Sequence, residues 1–498
     1  MKVGTEKCLL SRLCPKLTVY LWIYEEYLFM DKIRRKEPSR FHHQNMICFS
    51  DGGRFIAESA TENLRITHDL QCDFKPISGD DLFSLRSVTA LDNLYEKKGI
   101  VSRSIIYGLL YSEISVINYT IAIKIMNILH VVNIYFVLPY FIGDQFTYFK
   151  ERGYQMNVVC SPSEYLADYA KKQDFNYIET PVNRSISIKQ DLTSIRNICK
   201  FIRKQKIDIV VGHTPKGALL GMIAGWLCRV PKRIYFRHGL VYETSHGLKR
   251  TILKTVDRIA SACATQIVCV SPSVLKRSIN DGLAPARKQM ILSKGTCNGI
   301  DTQGYFNPAN IDKARLNELK AKYGIKDDDF VIGYSGRMVR DKGIIELVRA
   351  FDKLKDADNC KLLLVGMFEK RDALPDDVKN RIENDPRIIY TGFINGGMEY
   401  YYAMMNVYVL ASYREGFPTG VLEAQSMGKP VITTRVTGCC DSIIDGKTGL
   451  FIDNDADDLA KKIDMIRRDN AIDGIEGRKW VVENYDSRII WKEIEKLY

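Results

Sequence analysis

The 498-residue chain is 46% hydrophobic and 27% charged, a composition that excludes wholesale disorder. At about 150 residues per domain its length predicts about three domains. Its thirteen Cys are scattered, with no CxxC pair and no Cys/His run of zinc spacing, which excludes a disulfide scaffold and points to a reducing, cytoplasmic setting. Net charge is +12, and residues 201–300 hold 17 Lys/Arg against 4 Asp/Glu, so that stretch alone carries +13. A basic face of this kind attracts polyanions such as anionic lipid headgroups or diphosphates. Without interleaved aromatics or a reader motif it does not predict a nucleic-acid partner.

In chain order, residues 1–125 carry charged patches such as 31–37, and His42, His43 and His68, which read as surface or core residues. No motif stands out in them, and their fold is left unassigned. Glu25 and Glu26 interrupt the apolar run 17–30, so a signal-peptide layout is not expected. The stretch 104–123 is mostly apolar but contains Glu113. The stretch 125–142 lacks formal charge but includes Asn127, His130, Asn133 and Pro139. A spanning helix needs about 20 apolar residues. The second stretch reads instead as a buried strand, a turn and a helix start, and a peripheral membrane contact stays open. Met126 directly precedes the strand, so 1–125 is either a fused module or the result of a start assigned too far upstream.

From Met126 on, short β-branched or aliphatic runs alternate with longer amphipathic segments. Strands are expected at 128–132, 155–160, 207–211, 233–236 and 266–270. After a junction at 298–310 they are expected at 330–334, 360–365, 388–390, 407–411 and 430–433. Helices are expected between them, for example at 343–354 and 419–427. Such alternation predicts two doubly wound, parallel α/β domains, 126–310 and 311–480, with ligands beyond the carboxyl ends of the strands in a cleft between the sheets.

The most informative segment runs from Ala411 to Val431. Gly416, Pro418 and Gly420 make a tight turn after a strand, and a helix should begin near Thr419. Its unpaired N–H groups then point into the cleft, where they can bind phosphate. Glu415 precedes the turn and Glu423 lies in the first helical turns. Carboxylates accept hydrogen bonds from vicinal hydroxyls, so this pair predicts a sugar at each end of a diphosphate. In Gly336-Arg-Met-Val-Arg-Asp-Lys-Gly343 a strand again ends in a glycine turn. Arg337 and Lys342 there can take up the charge of a leaving diphosphate. In the first half, Gly143 offers a place for backbone to approach a phosphate. His238 follows a strand and either faces the cleft or packs. His213 and Lys216 either bind an anionic acceptor or serve structure. Cys439 and Cys440 read as small packed side chains.

Taken together, Glu415-Gly-Phe-Pro-Thr-Gly-Val-Leu-Glu423, the 336–343 run, Val270-Ser-Pro-Ser273, Asn298-Gly-Ile-Asp301 and Asp445-Gly-Lys-Thr-Gly449 resemble the retaining glycosyltransferases of family 4. The 127–132 strand and Tyr140-Phe-Ile-Gly-Asp-Gln-Phe146 narrow the likeness to bacterial capsule and O-antigen (lipopolysaccharide) transferases and those acting on lipid-linked oligosaccharides. The resemblance covers about 126–498 and has no counterpart for 1–125. It implies the GT-B fold, with segment 481–498 crossing back to the first domain.

The resemblance also implies roles. Arg337 and Lys342 hold the donor diphosphate beside Gly336. Glu423 binds the nucleotide ribose, and Glu415 contacts the donor sugar. Gly416, Phe417, Pro418, Thr419 and Gly420 form the amide-bearing turn, and His238 lies near the transferred sugar. Arg337, Lys342, Glu415 and His238 make the expected catalytic set. The implied enzyme is a hexosyltransferase that needs no metal or cofactor. Its donor is a nucleoside-diphosphate sugar, most often UDP-linked. Its acceptor is a polyprenyl-diphosphate-linked saccharide, reached from the inner face of the cytoplasmic membrane with the basic stretch on the anionic surface. A sugar-nucleotide epimerase on the same fold and a non-catalytic partner subunit are the alternatives.

Overall fold

The structure is a computed structural model that describes residues 126–183, 187–354 and 357–498, together with the backbone of three strands within 1–125. The expectations for 17–30, 31–37, 104–123, His42 and His43 lie outside the described residues, as does the side chain of His68. The chain forms two compact units, Met1–Lys124 and Ile125–Tyr498. In the first, β1 (Asn45–Ser50), β2 (Arg54–Ser59) and β3 (Arg65–Asp69) pair antiparallel in sequence order.

The second unit contains two parallel sheets. The first is built from β4 (Asn127–Val131), β5 (Gln155–Cys160), β6 (Asn176–Glu179), β7 (Ile209–His213), β8 (Lys232–Arg237), β9 (Gln266–Cys269) and β10 (Gln289–Met290), in the order β10-β9-β8-β7-β4-β5-β6. The second is built from β11 (Phe330–Ser335), β12 (Cys360–Val365), β13 (Ile388–Tyr390), β14 (Val407–Leu410), β15 (Val431–Thr434) and β16 (Gly449–Ile452), in the order β13-β12-β11-β14-β15-β16. Both follow the doubly wound order in which the chain starts centrally, runs to one edge and restarts on the other side. The switch points fall between β4 and β7 and between β11 and β14.

Helices cover both faces of each sheet, which is why the central strands are nearly continuous buried runs rather than alternating ones. The helix Ile344–Lys353 shows the local logic. Ile344, Leu347, Val348 and Phe351 recur at three- and four-residue spacing and are all buried in the core of the second sheet. On one face of the first sheet, Ile198, Phe201, Ala218 and Met222 pack on Leu129 and Val131. On the other face, the C-terminal helix Ser487–Glu495 brings Ile490 and Ile494 onto Ile128, Phe146 and Phe149. Lys232 Nζ anchors the end of that segment, donating to the carbonyl oxygens of Leu497 at 3.3 Å and Tyr498 at 2.5 Å.

The sheets have seven and six strands where ten in all are expected. The added strands are short or poorly apolar. β6 is largely exposed at an edge, β10 has two residues, and β16 follows directly on the Asp445–Gly449 turn. β7 begins two residues later than expected, at Ile209, just after Asp208, whose amide donates to the Asn127 carbonyl at 2.9 Å and whose carboxylate accepts from the Asn127 amide at 3.0 Å. Cys439 is buried, but Cys440 is exposed, which corrects the reading of both as packed side chains. Among the described residues no helix is long and apolar enough to cross a membrane.

Candidate active site

The candidate residues lie beyond the carboxyl ends of β4, β7 and β8 in one sheet and of β11 and β14 in the other. On the second sheet, β11 delivers Gly336 and Arg337 into a turn pinned by the Tyr334 hydroxyl, which donates to the Arg337 carbonyl at 2.9 Å. The Gly336 amide is spent on Val365 (2.9 Å), so it shapes the turn rather than offering a donor. Arg337 stays partly open and meets Glu369 at 2.9 Å. Lys342 and Glu415, both largely buried, form an ion pair that joins the β11 and β14 turns. Arg414 and Asp341 make a second such link at 3.2 Å.

β14 leads through Glu415 into the helix Thr419–Ser426. Among the described residues the Gly416 and Phe417 amides have no protein partner, nor do those of Thr419 and Gly420 at the helix start, while the Val421 amide is taken by the Pro418 carbonyl at 3.1 Å. Pro418 carries no N–H, so of the expected turn it contributes shape alone. The Phe417 side chain is used elsewhere, against Gly295 and the Tyr485 ring. Glu423 lies one turn into the helix, where the Tyr402 hydroxyl donates to its Oε2 at 2.7 Å. Ser335 Oγ lies 2.8 Å from the same hydroxyl, so the end of β11 holds Tyr402 in place. Burial pushes the Glu423 carboxyl up to about 7, against the opposing effect of the Tyr402 hydrogen bond.

The first sheet closes against this turn. A Cβ on Gly416 would stand 2.0 Å from the His238 carbonyl oxygen, so only glycine permits the approach. Thr437 Oγ1 donates to Glu243 at 2.8 Å, and the Gly438 amide donates to Ser273 Oγ at 2.7 Å, bridging the two sheets' loops beside it. Phe136, Tyr140 and Phe393 form an aromatic rim, with Phe136 centroids 4.8 and 5.9 Å from the other two rings.

His238 is half-buried, and the Phe141 ring stacks on it at 3.8 Å. Its Nε2 lies 3.0 Å from His213 Nδ1. His213 Nε2 in turn lies 3.0 Å from His130 Nδ1. His213 is therefore buried with both ring nitrogens engaged, and it presents no free nitrogen to an acceptor. Lys216 is also buried, paired with Asp191 at 2.6 Å. Gly143 sits in the left-handed region at φ 50°, and its amide is committed to Leu138 at 2.9 Å rather than to the cleft. The structure thus gathers Arg337, Lys342, Glu415, Glu423, the Gly416 turn and His238. It leaves His213, Lys216 and Gly143 behind or beside them. Sequence reasoning missed Glu369, Tyr402, Ser335 and the aromatic rim. It noted His130 only as a polar interruption, although three His at the ends of neighbouring parallel strands were a usable signal. Among the described residues no group of three or more His, Cys, Asp and Glu side chains is arranged to hold a metal ion.

Two parallel sheets of this order, facing across a cleft and stitched by a returning C-terminal helix, form the GT-B architecture of glycosyltransferases. The family described as "Glycosyl transferases group 1" matches residues 316–484, and "Glycosyl transferase 4-like" matches residues 128–271. The capsular polysaccharide biosynthesis glycosyltransferase CapM of Staphylococcus aureus is 33% identical over 380 residues, 75% of this chain and 97% of CapM. The Escherichia coli UDP-Gal:alpha-D-GlcNAc-diphosphoundecaprenol alpha-1,3-galactosyltransferase is 26% identical over 333 residues, 66% of this chain and 84% of that enzyme. Among solved structures, Anabaena HepE in complex with UDP and glucose superimposes with a TM-score of 0.62 at 17% identity, covering 74% of this chain and 98% of HepE. The chain belongs to the group 1, family 4-like glycosyltransferases of the GT-B fold, and a capsule enzyme is among its relatives.

Proposed function

We propose that the protein is a retaining hexosyltransferase that moves a sugar from a UDP-linked donor to a polyprenyl-diphosphate-linked saccharide during surface-polysaccharide assembly. The observation that carries this reading is the convergence of Glu423, the Lys342–Glu415 pair and the open amides of the Gly416 turn at one strand-end cleft. Glu423 suits the ribose hydroxyls, the amides and Arg337 suit the diphosphate, and Glu415 suits the hydroxyls of the transferred sugar. A relative agrees in kind, since the Escherichia coli enzyme uses UDP-Gal with a diphosphoundecaprenol-linked acceptor.

In the proposed step the acceptor hydroxyl oxygen bonds to the anomeric carbon on the face the diphosphate leaves. The carbon–oxygen bond to the β-phosphate breaks, and the departing phosphate oxygen takes the hydroxyl proton. The products are the nucleoside diphosphate and a lipid-linked saccharide with retained configuration. Arg337 and Lys342 stabilise charge that grows only as the bond breaks, so they act on turnover more than on binding.

The acceptor's lipid places the reaction at an anionic membrane surface. Support comes from the helix Gly247–Cys263, where Leu248, Ile252 and Ile259 are exposed on one stripe beside the exposed basic residues Lys249 and Arg258. Trp226 and Leu227, at the end of the neighbouring helix Pro215–Leu227, are also exposed. The test supplies a UDP-hexose and an undecaprenyl-diphosphate-linked saccharide to wild type and Arg337→Ala. The expected result is a lipid-linked product of retained configuration, with kcat lowered about 10²–10³-fold in the variant. Inverted product, or epimerised nucleotide sugar formed without acceptor, would overturn the reading.

A further inference from the structure

The row His130–His213–His238 crosses three neighbouring strands along one diagonal. His130 pairs in register with Val211 on β7, two residues before His213. His213 pairs with Phe236 on β8, two residues before His238. Side chains two residues apart share a face of a strand, so all three imidazoles lie on the same face and step towards the cleft. The outermost, His238, abuts the Gly416 turn through its carbonyl.

We propose that His213 and His130 are positioning residues that lock His238 in its uncharged, Nδ1-protonated tautomer, so that it offers a fixed hydrogen-bond donor to an oxygen of the bound donor sugar. This rests on the reading that His238 borders the donor site. Burial lowers His130 to about 3 and takes His213 well below its usual range, with the neighbouring imidazoles adding to the fall at His213, and desolvation lowers the half-buried His238 as well. Each ring is therefore neutral and carries one proton.

Two 3.0 Å bonds between neutral rings allow two arrangements. If protons point inward, His130 Nε2 carries an N–H buried with no partner. If they point outward, His130 Nε2 is a bare acceptor, His130 Nδ1 donates to His213, and His213 Nδ1 donates to His238. The outward arrangement leaves no buried N–H of the row without an acceptor, only the bare Nε2 of His130, and we assign the row to it. It leaves the proton of His238 on Nδ1. Among the described residues that nitrogen has no protein partner, and it is not one of the buried orphan atoms, so it opens towards solvent and substrate. The Phe141 ring, stacked within 6° of parallel, keeps the imidazole from turning.

The test uses the full chain with ¹⁵N-labelled histidine and long-range ¹⁵N–¹H correlation, which reads the protonated nitrogen of each ring without an activity assay. The expected wild-type result is His238 protonated on Nδ1. His213→Phe keeps the stacked ring but removes the donor. It should release His238 to a mixture of tautomers and lower kcat about 10- to 100-fold, the loss seen when metal-bound histidines lose an orienting partner, with donor KM little changed; the melting temperature should fall, because an N–H of His130 is left buried without an acceptor. His213→Asn, whose amide reaches the position of the lost Nδ1, should restore the tautomer and most of kcat. His238 protonated on Nε2 in the wild type would overturn the proposal without any variant having to fold. So would an Nδ1 tautomer that persists in His213→Phe. Failure of the donor-site reading would show separately, as nucleotide binding indifferent to Glu423.

Discussion

Glu423 is a carboxyl held at about 7 by burial, with one hydrogen bond from Tyr402 opposing that rise. Its ionised form is the better acceptor for ribose hydroxyls, so donor affinity should rise with pH between about 6 and 8. The stability effect runs the other way. The folded group titrates above its unfolded value of 4.5, so the folded state binds the extra proton between the two values. The destabilisation is absent below about 4.5, grows as pH rises, and levels off above about 7, to at most about 3 kcal/mol. Glu423→Gln, which cannot ionise, should therefore match the wild type at pH 5 and melt higher at pH 8. A melting gap that does not open with pH would contradict this. At this scale the sequence displayed the charges but not their partners. Arg337, Lys342, Glu415 and Glu423 stand in two recognisable runs. Tyr402 and Glu369 lie in stretches with no motif, and only folding brings them to Glu423 and Arg337. His213 and Lys216 look like free strand-end groups until their neighbours His130 and Asp191 are seen.

At the scale of elements, hydrophobic periodicity is enough where a segment is long and its environment uniform. The helix Ile344–Lys353 and the central strands β4, β11, β12 and β14 were legible for that reason. Edge strands were not, because an exposed or two-residue strand buries too little to leave a pattern. The helix Gly247–Cys263 is legible as a helix, but its stripe of Leu248, Ile252 and Ile259 faces outward, against the rule for a surface helix. If that stripe meets a membrane, replacing all three with Ser should weaken binding to phosphatidylglycerol vesicles at least about tenfold, since each buried aliphatic side chain is worth about 1.5 kcal/mol or more. The fold should survive, because none of the three belongs to a buried core cluster. Vesicle co-sedimentation unchanged by the triple substitution would remove the membrane role from this helix.

At the scale of the whole second unit, two similar sheets are closed into one body by residues far from either. The C-terminal helix buries Ile490 and Ile494 in the core of the first sheet, after a chain that has just completed the second. Strand–helix alternation foretold two parallel sheets, and family motifs foretold their facing arrangement. The switch points that hold the site depend on strand order, which alternation alone does not specify. The central claim is that the β11/β14 end of this cleft binds a nucleoside-diphosphate sugar through Glu423. The most direct measurement is a thermal-shift panel of UDP-, GDP- and dTDP-sugars against wild type and Glu423→Ala. One nucleotide class should stabilise the wild type, by about 2.7 kcal/mol at a hundred times its Kd, and the variant should lose most of that shift. An equal shift in the variant, or none in the wild type with any nucleotide, would contradict the assignment.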